Sequence, residues 1–173
     1  MAERPANSET VIEIDQQQFR SVLGHYPTGV CVVTGSPEDE RAAGLVVGTF
    51  TSVSLEPPLV GFFVRKRSYS WDKIRAGGRF CVNVLGADQR DLAHRFAAPT
   101  ANKFEGVSHS TSQHGLPILD GVVAAIECEL HDERDAGDHN IVLGKVLALN
   151  ILRVADPLLF FRGQYGTFSP LTA

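Results

Sequence analysis

Two runs of hydroxyl and cationic side chains and one histidine carry the chemical options of this sequence. The first run is Val46-Val47-Gly48-Thr49-Phe50-Thr51-Ser52-Val53-Ser54-Leu55. A Gly-Thr pair followed by hydroxyls on a strand presents backbone N–H groups and short donors together. That suits a planar, acceptor-rich ligand lying against a sheet edge; the same pattern also describes a half-buried strand with solvated Ser and Thr. The second run is Arg65-Lys66-Arg67-Ser68-Tyr69-Ser70. Ser68 or Ser70 can cap a short helix over residues 71–75, which Gly77-Gly78 stops. Three cations and two hydroxyls then fall beside a helix N-terminus, whose free N–H groups and dipole favour a phosphate. A solvated basic turn is the other reading. The histidine is His139, which follows Gly137-Asp138 at the foot of an apolar strand. Its ring either points along a barrel mouth, with Asp138 holding the turn, or sits on a surface hairpin.

Other chemistries find less support. His131, Asp132, Glu133, Arg134, Asp135, Asp138 and His139 crowd two histidines and several carboxylates together, but their spacing matches no standard zinc or calcium pattern, and the solvated tip of a hairpin accounts for the charge. His109 and His114 lie in a polar loop and are expected to face water. No G-x-S-x-G elbow is present, and no Ser/His/Asp triad can be assembled. Neither G-x-G-x-x-G nor G-x-x-x-x-G-K-[ST] occurs, and strands and helices do not alternate regularly, so a nucleotide would be held by neither a Rossmann nor a P-loop device. No metal and no acid–base catalytic residue is assigned.

These residues need a scaffold, and the sequence points to a mainly β one. The 173 residues are enough for one core; 43% are hydrophobic and 21% charged, the balance of a soluble globule. A net charge of −4 without a basic tract argues against nucleic acid. No apolar run approaches the ~20 residues of a spanning helix, and residues 1–10 hold no signal-peptide core. Cys31, Cys81 and Cys128 are odd in number and each sits in an apolar run, which reads as buried free thiols in a reducing cytoplasm. Residues 1–12 are expected to be a disordered tail and 13–173 a single domain. Asp15 opens a helix, with Gln18 as a capping partner and Phe19, Val22, Leu23 and Tyr26 on one stripe; Pro27 ends it. Strands are expected over 29–34, 43–53, 59–64, 80–85, 122–131, 140–154 and 158–165, and short helices over 71–75 and 88–96. The Pro57-Pro58 pair is expected to stop a ladder, 97–114 to be loop and 115–121 a connector. Many strands with few helices argue a closed β architecture, a barrel with helices over its ends.

Taken in order, these pieces resemble the flavin reductase domain family, the FMN-binding split-barrel reductases that partner two-component flavin-dependent monooxygenases. The matching residues are Phe19-Arg20 and Leu23 with Pro27-Thr28-Gly29-Val30; the segment 51–60, which includes Ser54-Leu55-Glu56-Pro57-Pro58; Phe80-Cys81-Val82-Asn83-Val84-Leu85; Arg95-Phe96 with Lys103-Phe104-Glu105-Gly106; Glu127-Cys128; Gly137-Asp138-His139; and Arg162-Gly163 with Tyr165-Gly166. The resemblance implies a Greek-key split β-barrel with a few peripheral helices. It implies that Val47, Gly48, Thr49, Phe50, Ser52 and Ser54 hold the flavin ring and ribityl chain, that Lys66, Ser68 and Ser70 form the phosphate corner, and that Lys103 and Phe104 close over the flavin. It implies that His139, supported by Asp138, and Tyr165 serve the nicotinamide side. The implied cofactors are FMN or FAD with NADH or NADPH, and the implied partners are a second copy of the chain and a monooxygenase that receives reduced flavin. The fold also hosts non-catalytic flavin-binding and haem-degradation-type modules and flavin electron carriers. The chain departs from the family pattern at Gly48-Thr49, where Asn-Ser or Gln-Ser is frequent, so that contacts to the ring there must come from backbone.

Overall fold

A computed structural model describes residues 14–37, 41–100 and 102–171; the tail expected over residues 1–12 lies outside them. The Asp15 carboxylate accepts the Gln18 N–H at 2.9 Å and starts α1 (Gln16–Leu23). In chain order follow β1 (Thr28–Gly29), β2 (Cys31–Gly35), β3 (Ala43–Val47), β4 (Thr51–Leu55), β5 (Pro58–Arg65), α2 (Tyr69–Ala76), β6 (Arg79–Val84), α3 (Arg90–Ala97), β7 (His109–Thr111), β8 (Pro117–Leu119), β9 (Ala124–Ala136), β10 (His139–Ile151), β11 (Leu159–Phe161) and β12 (Gln164–Gly166). The chain is mainly β, as expected.

Seven strands form one antiparallel sheet in the order β3-β2-β6-β9-β10-β5-β4. β3 and β4 are consecutive in the chain yet stand at opposite ends of that order. The link 48–50 must therefore bridge the two ends, and the sheet curls until β3 touches β5. The single strand expected over 43–53 is thus two strands. The seam is held by a side chain: Thr49 Oγ1 accepts the Phe63 N–H at 2.9 Å, where a neighbouring strand would offer a carbonyl. A β-bulge at Val53, between the pairs Ser52↔Val60 and Ser54↔Leu59, explains why hydroxyls and apolar residues alternate imperfectly there. Glu56 and Pro57 make the turn and Pro58 opens β5, so only the first proline lies outside the ladder.

β2 is buried along its whole length because it is covered on both faces. Cys31 and Val33 join Phe62, Trp71, Ile74, Phe80 and Val82 in one core, where Phe62, Trp71 and Phe80 meet edge to face at 5.3–6.0 Å. Val30 and Val32 face a second core with Leu85, Ala93, Phe96, Leu119 and Leu158. On the side of the second core, Asn83 Nδ2 donates to Val32 O at 3.2 Å and to Thr34 Oγ1 at 3.0 Å, and Asn83 Oδ1 accepts the Leu119 N–H at 2.9 Å. Cys31, Cys81 and Cys128 are free and buried. Burial pushes the Cys31 and Cys128 thiols up to about 12 and raises Cys81 as well. Alkylation of the native protein at pH 8 is accordingly expected to run roughly a thousandfold slower than for a free thiol, since the thiolate is the nucleophile. Labelling of native and denatured protein, followed by mass spectrometry, checks this; rapid native labelling would contradict it.

Other expectations are corrected. Residues 158–165 form a hairpin, β11–β12, because Arg162 (φ 50) and Gly163 (φ 78) both take the left-handed conformation of a two-residue turn. The loop 97–114 and connector 115–121 contain a small hairpin, β7–β8, whose first strand is polar and fully exposed and so lacks an apolar period. His114 does not simply face water: its Nδ1 lies 2.8 Å from a carboxylate oxygen of Glu127, which is 3% exposed and also accepts from Ser112 Oγ. β9 runs past His131 to Ala136, and the turn is Gly137-Asp138, with the glycine at φ 68. In α1 the stripe of Phe19, Val22 and Leu23 is present, with no residue of the helix buried.

Candidate functional site

β3 ends, β5 ends and β10 begins at one end of the curled sheet, where a cleft of about 710 Å³ opens. Its walls are residues 45–47 of β3, 63–65 of β5, 67–70 at the start of α2, 96–100 at the end of α3, Lys103 and His139. Of the residues singled out in the sequence, Val47, Ser68, Ser70, Lys103 and His139 come together here.

The start of α2 is fixed by its own sequence. Ser68 is extended (φ −106, ψ 101) and its hydroxyl accepts the Trp71 N–H at 3.3 Å, a capping bond that leaves the Tyr69 and Ser70 N–H groups at the mouth of the helix. Trp71 and Ile74 anchor the helix in the core. Trp71 Nε1 donates to Glu133 Oε1 at 3.2 Å, Asn140 Nδ2 donates to the same oxygen, and Arg75 lies 3.7 Å from the other. Glu133 thus braces α2 against the β9–β10 hairpin, a role no local pattern in the sequence discloses.

The basic corner divides at the turn between β5 and α2. Lys66 does not line the cleft: its N–H donates to the Asp138 carbonyl at 3.2 Å and its Nζ lies 3.1 Å from Asp135, so it fastens the β5–α2 turn to the hairpin tip. Arg65 and Arg67, on either side of it, line the cleft instead. Opposite them Lys103 Nζ donates to the Phe96 carbonyl in the last turn of α3 at 2.8 Å. Burial lowers the Lys103 pKa, and no carboxylate pairs with it among the described residues. A half-buried ammonium without a counter-ion, two guanidinium groups and a helix N-terminus around one cavity make a fit for a phosphate.

His139 stands opposite Arg65 in the β10–β5 register, and its Nδ1 is 2.8 Å from Asp138 Oδ1. That bond holds the Asp138 carboxyl below its usual range. An acceptor at Nδ1 places the ring proton there and leaves Nε2 as the nitrogen available to a ligand.

The remaining residues lie elsewhere. Thr49 is spent on the seam, and Phe50 packs on the first core. Ser52 and Ser54 lie on the edge strand β4 and do not line the cleft. Gly48 and Tyr165 line a smaller cavity of about 200 Å³ with Thr28 and Phe160, which shares the wall of Val46 and Val47 with the main cleft. Tyr165 therefore does not meet His139; its ring packs against Phe160 and His94 at 5.3 and 5.0 Å. A Cβ at Gly48 would come within 2.9 Å of Thr28 Oγ1, which gives a steric reason for glycine where the family pattern often has an amide side chain. Phe104 lines a second groove, its ring set against Phe96 and His109 at 5.2 and 5.1 Å. Among the described residues no group of three or more His, Cys, Asp or Glu side chains is placed to hold a metal ion.

Comparison with known proteins gives a uniform result. Residues 23–169 match the family model described as flavin reductase like domain. The chain is 50% identical over 158 residues to a flavin reductase of Pseudomonas putida, an alignment covering 91% of this chain and 93% of that one. It is 42% identical over 160 residues to the flavin-dependent monooxygenase reductase subunit HsaB of Mycobacterium tuberculosis, covering 91% and 85%. Among solved structures, nitrilotriacetate monooxygenase component B from Mycobacterium thermoresistibile superposes with a TM-score of 0.86 at 43% identity, covering 90% and 88% of the two chains. The Streptomyces globisporus NADH:FAD oxidoreductase SgcE6, in complex with NAD and FAD fragments, superposes with a TM-score of 0.84 at 36% identity, covering 90% and 94%.

Proposed function

This chain belongs to the flavin reductase like domain family, and on that premise we propose that the 710 Å³ cleft binds a flavin, with its phosphate at the start of α2, and receives a reduced pyridine nucleotide beside His139. The protein is an NAD(P)H:flavin oxidoreductase that supplies reduced flavin to a partner monooxygenase. When bound, the flavin supplies the hydride-accepting ring and the nicotinamide supplies the hydride, chemistry that asks for no strong acid or base from the protein. The Ser68 cap keeps the first N–H groups of α2 turned to the phosphate, and Arg65, Arg67 and Lys103 neutralise it. Residues 45–47 and Phe63 give the cleft an apolar wall that excludes water. His139, oriented by Asp138, presents Nε2 to the nicotinamide carboxamide and so positions the ring rather than reacting with it. The observation that carries this reading is the convergence of a capped helix N-terminus, a half-buried lysine with no carboxylate partner among the described residues and an oriented histidine on one cavity.

Residues 13–173 act as one domain, a split barrel whose split is the seam at Thr49. The uncovered stripe of α1, with Phe19 and Val22 54% and 62% exposed, supports a homodimer. The buried free thiols support a reducing, cytoplasmic setting, and no helix among the described residues is long and apolar enough to cross a membrane.

The direct test is anaerobic. Purified protein mixed with NADH and FMN or FAD is expected to bleach the flavin absorbance with loss of the nicotinamide band. Flavin retained without NADH oxidation would sink the catalytic reading and leave a binding protein.

A further inference from the structure

The phosphate corner and the histidine ride on different parts of the sheet. The backbone of α2 lies closest to β2, β3 and β6, whereas His139 stands at the start of β10. β6 pairs with β9 only as far as Glu129, and the Leu130 N–H then donates to the Gly78 carbonyl at 2.9 Å. Past that point β9 pairs with β10 alone among the described residues. The end of the β9–β10 hairpin that carries His139 must therefore be held on its β6 side by side chains. Resting on the flavin reading above, we propose that Glu133 is the positioning residue that holds it. It sets the separation between a flavin seated at α2 and a pyridine nucleotide seated at His139, and so the rate of the hydride transfer that oxidises the one and reduces the other.

The carboxylate is placed for that role. Its Oε1 accepts from Trp71 Nε1 at 3.2 Å and from Asn140 Nδ2, and its other oxygen lies 3.7 Å from Arg75. Trp71 stands in the first turn of α2, three residues after the Ser68 cap, and Asn140 follows His139 in β10. One oxygen thus joins the helix that presents its N–H groups to the phosphate and the strand that presents the imidazole. The Glu133 side chain is 15% exposed. Bonds in such a setting hold geometry better than the exposed Lys66–Asp135 pair at the hairpin tip. Asn140 is informative too, because its Oδ1 is buried with no partner among the described residues. A buried amide with one end unsatisfied adds little to stability; what this one does is fix the Glu133 carboxylate.

Glu133 does not line the cleft, and each half of the site keeps its own parts without it. Ser68 still caps α2, and Asp138 still orients His139. What Glu133 supplies is their relative placement. Group transfer is steep in that quantity, since a misplacement of about 1 Å can lower a rate about a hundredfold.

The chain has one tryptophan, so the ligand-free protein reports on the bond directly. In NMR spectra of nitrogen-labelled protein, Glu133→Ala is expected to shift the single indole N–H resonance and to speed its exchange with solvent about tenfold. Glu133→Gln keeps an oxygen for both donors and is expected to stay within about threefold of wild type in that exchange. Anaerobic single turnovers, with protein in excess over flavin and with saturating NADH, follow the bleaching of the flavin. Bleaching is expected to be about tenfold slower in Glu133→Ala and within about threefold of wild type in Glu133→Gln, while the flavin and NADH Kd values of both stay within about threefold. Asn140→Ala, which leaves the carboxylate bonded to Trp71, is expected to slow bleaching about threefold, and the double variant to be no slower than Glu133→Ala alone. Should Glu133→Ala not fold, Asn140→Ala decides the matter. An indole resonance unmoved in Glu133→Ala would overturn the proposal, as would wild-type bleaching in Glu133→Ala or in Asn140→Ala. So would a Glu133→Gln rate as low as that of Glu133→Ala. A slower rate matched by an equal rise in either Kd would make Glu133 a brace for the fold only and overturn it too. Failure of the wild type to bleach flavin with NADH would instead remove the underlying flavin reading, and the proposal with it.

Discussion

Trp71→Ala is expected to lower the melting temperature by roughly 6–20 °C, from a loss of about 3–5 kcal/mol at about 2–4 °C per kcal/mol for a chain of this length. Trp71 is 2% exposed and meets both Phe62 and Phe80 edge to face, so its removal leaves a cavity bounded by rings that cannot collapse into it. It also strips the Glu133 carboxylate of one donor. The same change is expected to weaken flavin binding, because Trp71 is the first anchor of α2 and the N–H groups assigned to the phosphate stand directly before it. Trp71→Phe keeps one ring of the packing and loses the Nε1–Glu133 bond and the volume of the second ring, so it is expected to cost less, about 1–3 kcal/mol. Thermal unfolding and flavin titration on the two variants check both halves. A melting temperature unchanged in Trp71→Ala would mean that the aromatic cluster does not hold this end of the sheet.

His139→Ala is expected to raise the KM for NADH by up to about tenfold while the flavin Kd stays within about threefold. A hydrogen bond between neutral groups, here Nε2 and the carboxamide, contributes about 0.5–1.5 kcal/mol, and about 1.4 kcal/mol is a factor of ten. The asymmetry follows from role: the phosphate is assigned to the first N–H groups of α2 and to Arg65, Arg67 and Lys103, none of which is removed with the His139 ring, although Arg65 is its register partner. Asp138→Ala is expected to act in the same direction and less strongly, because it removes the acceptor that orients His139 without removing the ring. Asp138 has a definite pH sense. The Asp138 pKa is lowered by the bond from His139, so the contribution of this carboxylate is present above the ordinary value of about 3.9 and is lost as the pH falls through the lowered folded value. Acidification toward pH 5 is therefore not expected to protonate Asp138. Steady-state kinetics with varied NADH decide the matter; an NADH KM that does not move in His139→Ala would remove the residue from the nicotinamide site.

Much of this arrangement was legible in the sequence where local chemistry decides it. Asp15 caps α1 as its spacing with Gln18 requires, Gly137-Asp138 turns the hairpin, and Ser68 caps α2 beside the cations. What the sequence hid depends on contacts across the sheet. Residues 43–53 read as one strand because nothing local announces that their two halves belong to opposite ends of a curled sheet. Lys66 reads like its neighbours Arg65 and Arg67, and only the position of Asp135 across the hairpin turns it away from the cleft. Tyr165 and His139 both belong to the family pattern, but the wall of Val46 and Val47 separates their cavities. The apolar stripe of α1 was legible as amphipathic, while the absence of a covering layer within one chain was not.

The Asn83 network has a consequence for how the central strands find each other. β2 is apolar on both faces, so displacing it by one residue against β6 would exchange one set of valine and cysteine side chains for another with little change in buried area, and hydrophobicity alone would scarcely penalise the error. The carboxamide removes that degeneracy: only in the native alignment does it meet Val32 O, Thr34 Oγ1 and the Leu119 N–H together, and any slip would strand an unsatisfied amide in the apolar layer behind the sheet. One polar side chain thus works as the indexing pin of an otherwise slippery pair of strands.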